Sequence, residues 1–521
     1  TLTGSSLTNN STPTWTGVAE AIAAVTVLNG GVPLGQVAAD GSGNYSFTPG
    51  TALSDGTHVI SSNASDGSGN TSAASSSLTV VVDTNTPGVP TISATSPTND
   101  STPTFTGTAE AVTIVTILSD GATLGQATAD GGGNYSFTPS AAFSDGSFTI
   151  TATAADSAGN TSGTSDGLSL VVDTAAPAAP TLTGTTPTKD NTPELSGAAE
   201  ASSTVTVYSG ETALGQATAD AGGAYTVIVS TLADGSHSLT AKATDASGNT
   251  GAASAALAIE VDTAAPPVPT VTANSPSSTG TPVISGVAEA SSTVTVYSGD
   301  TALGQASADG GGAYSFTPAT TLEDGTYSIS ATATDGAGNT GAASTALTLM
   351  VDTVVPGAPV LSVTTPTNDS TPEMGGTAEA GATVTIYTGG TQLGQTTATG
   401  GGVISFEPTT VMSDGSYTLT ATATDGAGNT SPASGAVSLV VDTVSPGVPT
   451  VVVSSPTSDN TPTFSGVAEA GSTVELSAGG QSLGQVVVEG GGNYSYTPGT
   501  ALGDGSYLVT AKATDAAGNS S

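Results

Sequence analysis

The sequence predicts an all-β chain: a tandem array of six β-sandwich domains forming an elongated rod. Three observations carry this. A ten-residue string returns along the chain, apolar and polar residues alternate with period two, and helical periodicity is missing. The string reads "VVDTNTPGVP" at 81–90 and "VVDTAAPAAP" at 171–180, then "VDTAAPPVP" at 261–269, "VDTVVPGAP" at 351–359 and "VDTVSPGVP" at 441–449. Its acids, Asp83, Asp173, Asp262, Asp352 and Asp442, are spaced by 90, 89, 90 and 90 residues. Such a repeat defines the architecture before any local reading. Each unit is long enough to bury a core of its own.

The hinge prolines set the boundaries. The expected domains are 1–87, 88–177, 178–266, 267–356, 357–446 and 447–521, the last one lacking its final strand. The chain opens at "TLTGSSLTNN" and stops at "DAAGNSS", both inside a repeat, which reads as a piece of a longer polypeptide.

The fourth repeat shows the elements in order. Seven segments, lettered A to G, are 268–276, 281–290, 292–299, 302–309, 312–320, 325–335 and 344–352. Clusters of Gly, Pro, Asn or Asp separate most of them. Val294 and Val296 point one way and Thr293 and Thr295 the other; Tyr327, Ile329, Ala331 and Ala333 alternate with Ser328, Ser330, Thr332 and Thr334. Strands of this kind have one buried and one wet face, as in an antiparallel sandwich. Seven short strands in about ninety residues have the size of an immunoglobulin-like sandwich. An aromatic three residues after an Asp at the start of strand F, as in Tyr327, Tyr417 and Tyr507, suits a tyrosine corner. Phe148, His58 and His237 hold that position elsewhere.

These strings, "VDT..P..PT", "TP..SG.AEA", "TVTVY..G..LGQ" and "L.DG.Y..TA.ATD.AGNTS", resemble the bacterial Ig-like repeats of giant type I-secreted, RTX-type biofilm adhesins. The resemblance covers the whole chain. It implies a secreted cell-surface extender with calcium at the domain junctions. A glycine-rich nonapeptide array and a terminal ligand-binding module, both features of that class, are missing from these residues.

Charge narrows the partners. The chain holds 42 acids against 3 Lys or Arg and no cysteine. Phosphate recognition needs Lys and Arg, so nucleic acid and anionic membrane surfaces are excluded as partners. No apolar run reaches membrane-spanning length. Thiol chemistry and disulfides are excluded too. Cations, neighbouring repeats and other copies of the chain in a fibre remain.

If strands alternate in direction, the linker acid leaves one pole of a domain and meets the entry pole of the next. There the end of strand B carries Glu20, Glu110, Glu200, Glu289, Glu379 or Glu469. The F–G loop carries Asp66, Asp156, Asp245, Asp335, Asp425 or Asp515. The linker Asp is always 27 residues before the Glu, which is 45 or 46 before the loop Asp. Three carboxylates should therefore meet at each junction. A pair at about 4 Å repels by roughly 1 kcal/mol in water and about 4 when partly buried. No recurrent Lys or Arg neutralises them. Calcium, which takes six to eight oxygen ligands, fits. The expected metal sites are Asp83, Glu110 and Asp156; Asp173, Glu200 and Asp245; Asp262, Glu289 and Asp335; Asp352, Glu379 and Asp425; and Asp442, Glu469 and Asp515. Asn160, Asn249, Asn339, Asn429 and Asn519 could add carbonyl oxygens. Read singly, "DG" and "GN" are ordinary turn signals.

Other acids read as turns: Asp55, Asp145, Asp234, Asp324, Asp414 and Asp504 in the E–F turn, and Asp100, Asp190, Asp369 and Asp459 between A and B. The D–E acids, such as Asp220 and Asp309, become Thr399 in the fifth repeat. Trp15 shares its column with Phe105, Leu195, Ile284, Met374 and Phe464 and reads as core. No catalytic site is expected. Both histidines sit in the corner column, and each recurrent acid returns four to six times, which suits a mechanical element. The expected function is a stalk, stiffened by calcium, that projects a distal adhesive module. The alternatives are a self-assembling fibre subunit, a direct ligand-binding adhesin region, or a spacer of a secreted polysaccharide-degrading enzyme.

Overall fold

The computed structural model describes residues Thr1 to Ser521 and is built of strands and turns, with no helix. The chain divides into two compact units, Thr1–Thr263 and Ala264–Ser521. The first holds three hydrophobic cores, around Trp15, Phe105 and Leu195. The second holds three more, around Ile284, Met374 and Phe464. Each repeat thus has its own core, and Trp15 is fully buried in the first.

The fourth domain has seven strands, as its sequence predicts: A (Thr272–Ala273), B (Ile284–Val287), C (Thr293–Ser298), D (Thr301–Ser307), E (Ala313–Phe316), F (Gly325–Thr334) and G (Leu347–Val351). One sheet runs A–B–E and the other D–C–F–G. Strand D pairs with C, not with E. All these pairs are antiparallel. A parallel bridge from Ser277 to Val351 ties the segment after A to strand G.

The alternating residues decide the faces. Val294, Val296, Ile329, Ala331, Ala333 and Leu349 are buried between the sheets, while their Thr and Ser neighbours face outward. The C–D hairpin closes tightly. In the first domain Gly30 and Gly31, both at positive φ (55° and 86°), supply the backbone a type I′ turn requires. The glycine of the "SG.AEA" string serves close approach. A Cβ on Gly286 would strike the Thr270 carbonyl and the Tyr314 ring. Strand A lies over this glycine, fastened by the Tyr314 hydroxyl, which donates to Thr270 O (2.7 Å).

The tyrosine corner is present. Tyr327 OH donates to Glu323 O (2.8 Å) and Tyr417 OH to Ser413 O (2.7 Å). The histidines substitute for it: Nε2 of His58 and of His237 each bonds a carbonyl four residues upstream at 2.7 Å. The Phe148 side chain has no polar atom and packs at a tilt against Phe143 instead (4.8 Å between centroids, 57° between planes).

In the sixth domain the second sheet has only D, C and F. Its strand F forms over Val509–Thr514, against Gly415–Thr424 in the fifth domain. With no G beside it, Tyr507 is 43% exposed, whereas Tyr327, paired with G in the fourth domain, is partly buried.

Candidate functional site

The linker acids sit where strand G hands the chain to the next domain. Each is fixed first by its own domain. Asp83 N donates to Thr8 O (3.0 Å) and Asp352 N to Ser277 O (2.9 Å). The threonine that follows is then gripped by the E–F acid. Thr84 donates its backbone N–H and its hydroxyl to Asp55 Oδ1, both at 2.9 Å. Thr353 does the same to Asp324 Oδ1, both at 2.8 Å. Thr174, Thr263 and Thr443 repeat the arrangement on Asp145, Asp234 and Asp414.

The following domain grips the linker from the other side. Asn160 Nδ2 donates to the Asp83 backbone carbonyl (2.8 Å) and to Asp156 Oδ2 (2.8 Å). Asn249 bridges Asp173 O and Asp245 Oδ2 (2.7 and 2.8 Å). In the second unit Asn429 bridges Asp352 O and Asp425 Oδ2 (2.7 and 2.8 Å), and Asn519 bridges Asp442 O and Asp515 Oδ2 (2.6 and 2.9 Å). A hydrogen bond of this kind contributes about 1 kcal/mol net, more where the acceptor is ionised.

The Asp of the F–G loop aims that amide. Asp156 Oδ1 accepts from the backbone N–H of Gly159 (2.8 Å) and Asn160 (2.9 Å). Gly159 itself lies at φ 95°, which only glycine adopts freely. A Cβ there would sit 3.5 Å from Asn9 Nδ2, so the A–B turn of the preceding domain abuts this loop. Beyond the loop the linker lies flat on the next domain. A Cβ on Gly163 would be 3.3 Å from Val89, and one on Gly251 would strike the Pro177 carbonyl. Pro87 and Pro90, Pro177 and Pro180, Pro356 and Pro359, and Pro446 and Pro449 are buried.

Burial alone would raise the Asp156 carboxyl. The Asn160 side chain and the loop N–H groups outweigh it and hold the group below the usual range. Asp245, Asp335, Asp425 and Asp515 are lowered by the same balance.

At the junctions inside each unit the linker Asp enters through its backbone carbonyl, not its carboxylate. Linker Asp and loop Asp meet through an asparagine within each unit. Glu20 and Asp66 line one cleft of about 400 Å³ in the first domain, which puts the end of strand B and the F–G loop at one pole. Yet nowhere are three acidic or histidine side chains gathered at metal-binding distance. Glu110, Glu200, Glu289, Glu379 and Glu469 are exposed. Asp262 is fixed within its own unit through its N–H to Thr188 O (3.0 Å). In the other unit Asp335 holds the Asn339 side chain (2.8 Å).

The donor set suits a hard cation in kind, being all carboxylate and carbonyl oxygen. Asp83 Oδ1 accepts from Asn85 N (3.1 Å), while Oδ2 accepts from no protein group. The asparagines differ from expectation. Their amide nitrogen, not their carbonyl, faces the linker, because both its partners are acceptors.

The linker threonines were not singled out in the sequence. The signal was there: each follows the linker acid and lies 29 residues after an E–F acid. The E–F acids therefore anchor the linker as well as forming a turn. The A–B acids do cap their own turn, as when Thr102 N donates to Asp100 Oδ1 (2.8 Å). The D–E acids do likewise, and Thr399 Oγ1 substitutes by accepting from Val403 N (3.0 Å).

Comparison with known proteins accords with this architecture. The chain matches the bacterial Ig-like domain family six times, over residues 2–84, 91–174, 180–263, 272–353, 362–443 and 453–521. Exoglucanase B of Cellulomonas fimi is 32% identical over 265 residues, 46% of this chain and 23% of that enzyme. The match thus spans under a quarter of that relative's length. Among solved structures, a tetra-tandem repeat from the extending region of a large adhesion protein is 25% identical. It covers 69% of this chain and 100% of its own, with a TM-score of 0.28. The BSP domain of a biofilm associated protein is 12% identical, covering 69% of this chain and 97% of its own, with a TM-score of 0.16. Six matches in tandem, one to each core, make this chain a member of the bacterial Ig-like domain family.

Proposed function

We propose that the chain is the extending segment of a bacterial surface adhesin: a non-catalytic, extracellular spacer that holds a distal adhesive module away from the cell. The observation that carries this reading is the doubly gripped linker, found at four junctions inside the two units. A free hinge would need none of these bonds. Proline restricts the linker backbone further. A chain built this way transmits position, and its charge gives it no means to hold nucleic acid or an anionic membrane.

Calcium is proposed as a second source of stiffness at the junctions. The linker Asp, the B-end Glu and the F–G Asp would supply oxygen ligands, with small movements of the exposed glutamates. Bound there, the ion would neutralise carboxylates that no Lys or Arg balances. Scattering from the full chain in millimolar calcium and in chelator tests the proposal. Extension of roughly 40 Å per domain, from strand rise plus loops, is expected in calcium. A chain compact in both conditions would remove the spacer reading. An identical scattering radius in both would remove the calcium reading alone.

The match to an exoglucanase favours one other reading: a spacer inside a secreted polysaccharide-degrading enzyme. The residues flanking this segment decide between them, by carrying either an adhesive module or a catalytic domain.

A further inference from the structure

Within each unit the junction asparagine has both amide N–H groups taken up by oxygen acceptors. The side chain of Asn160 sits between a carboxylate oxygen and a peptide carbonyl, both acceptors, and gives one N–H to each. Its nitrogen therefore does chemically what a cation would do there: it puts positive charge between two oxygens. Asp156 is not left bare either, since its other oxygen takes two backbone N–H groups. Asn160, Asn429 and Asn519 are each under 10% exposed, so water competes weakly for these bonds.

In the first domain the amide is held by the loop acid alone. Asn70 Nδ2 donates to Asp66 Oδ2 (2.7 Å), and Asp66 Oδ1 accepts from Ser68 N and Asn70 N (2.8 and 2.9 Å). Yet Asn70 is exposed. The Asp–Asn pair is held alike, by the side-chain amide and the asparagine N–H, and the linker carbonyl and burial are added in the later domains.

We infer that the F–G asparagine is an inter-domain latch that, within each unit, fixes the linker to the following domain without a cation. On the calcium reading above, which this inference refines, the ion tightens a junction that is already closed. The latch is independent of what the distal module binds. It acts between Asp352 and domain five, and between Asp442 and domain six, by the same two bonds.

The chain has no cysteine, so a pair of introduced thiols is unique. Thr348→Cys and Thr391→Cys, both at exposed strand positions in domains four and five, can carry spin labels across one junction. Distance distributions are then recorded for the full chain, with Asn429 intact or as Asn429→Ala, in chelator and in calcium. In chelator the unsubstituted junction should give one narrow distribution. Asn429→Ala should raise the undocked share about five-fold or more, the factor that a lost bond of this class carries. Asn70→Ala, in a loop with no linker on it, should leave this junction unchanged. Hydrogen exchange over 415–424 separates undocking from loss of folding. An undocked share equal in Asn429→Ala and the unsubstituted chain overturns the latch. So does an unsubstituted junction that opens in chelator and closes in calcium, which would leave the calcium reading standing. If Asn429→Ala opens in chelator and calcium does not close it, the latch stands and the calcium reading falls.

Discussion

The entry poles of the first and second domains are one loop in two situations. In the first, Asp66 and Asn70 hold each other beside an open cleft lined by Glu20, Ser72 and Ala73. In the second, Asp156 and Asn160 hold each other in the same way, and the preceding linker covers them. The hydrogen-bond geometry barely differs. The electrostatic balance does. For Asp66 the Asn70 side chain is the leading influence and lowers the carboxyl. For Asp156 burial leads and opposes the same bonds. The difference teaches that the loop is preorganised. Docking reshapes nothing; it adds desolvation and one carbonyl, which is how a repeat can join to any copy of itself.

The largest expected effect applies the comparison to a whole strand. Within Thr1–Ser521 strand F of domain six pairs with C alone, whereas in domain four it pairs with C and G. Hydrogen exchange in strand F should be about a hundredfold faster at 506–514 than at 326–334, since local opening tracks missing contacts. Equal protection in a monomeric sample would break the parallel.

Next comes the residue that aims the amide. Asp425 accepts from Ala427 N, Gly428 N, Asn429 N and Asn429 Nδ2 (2.8, 2.8, 2.9 and 2.8 Å). Asp425→Ala should cost domain five about 2–3 kcal/mol in denaturant unfolding and open its junction. Asp66→Ala should loosen only its own loop. Equal junction opening by both would mean that linker docking does not depend on the local loop.

The exit pole should matter less. Asp414→Ala releases the Thr443 N–H and hydroxyl, exposed bonds worth about 1 kcal/mol together. Label distances between domains five and six should broaden slightly. No change would leave the asparagine as the only grip.

Acid gives the smallest effect. The loop carboxyls lie below their ordinary value of 3.8 in the folded chain. Their contribution is therefore full above that value and is lost as pH falls through the lower folded one. Junction distances should stay constant from pH 7 to about 5 and broaden only in stronger acid. Broadening near pH 6 would point to a different titrating group.

Much of this was legible in the residues. The strands and their two faces followed from period-two alternation, which reports burial directly, the six cores from the repeat, and the tyrosine corner from the spacing of an aromatic after an Asp. The meeting of linker Asp with F–G Asp followed from strand direction. What alternation does not encode is side-chain aim. "AGNT" states that an asparagine ends a loop; only the loop backbone, with Gly159 at φ 95°, turns its nitrogen toward Asp83. The E–F acid reads as a turn because "DG" is a local turn signal, while its partner, Thr84, is 29 residues away. The glutamates were placed at the right pole, but an exposed flexible side chain has no fixed position for a spacing to predict.

The central claim is that linkers dock on a loop already formed to receive them. Side-chain amide exchange, read by NMR on the full chain with asparagine-selective labelling, tests it most directly. Asn70 should exchange its Nδ2 protons quickly, and Asn160 and Asn429 slowly, with and without chelator. Equal, fast exchange at all three would contradict the account.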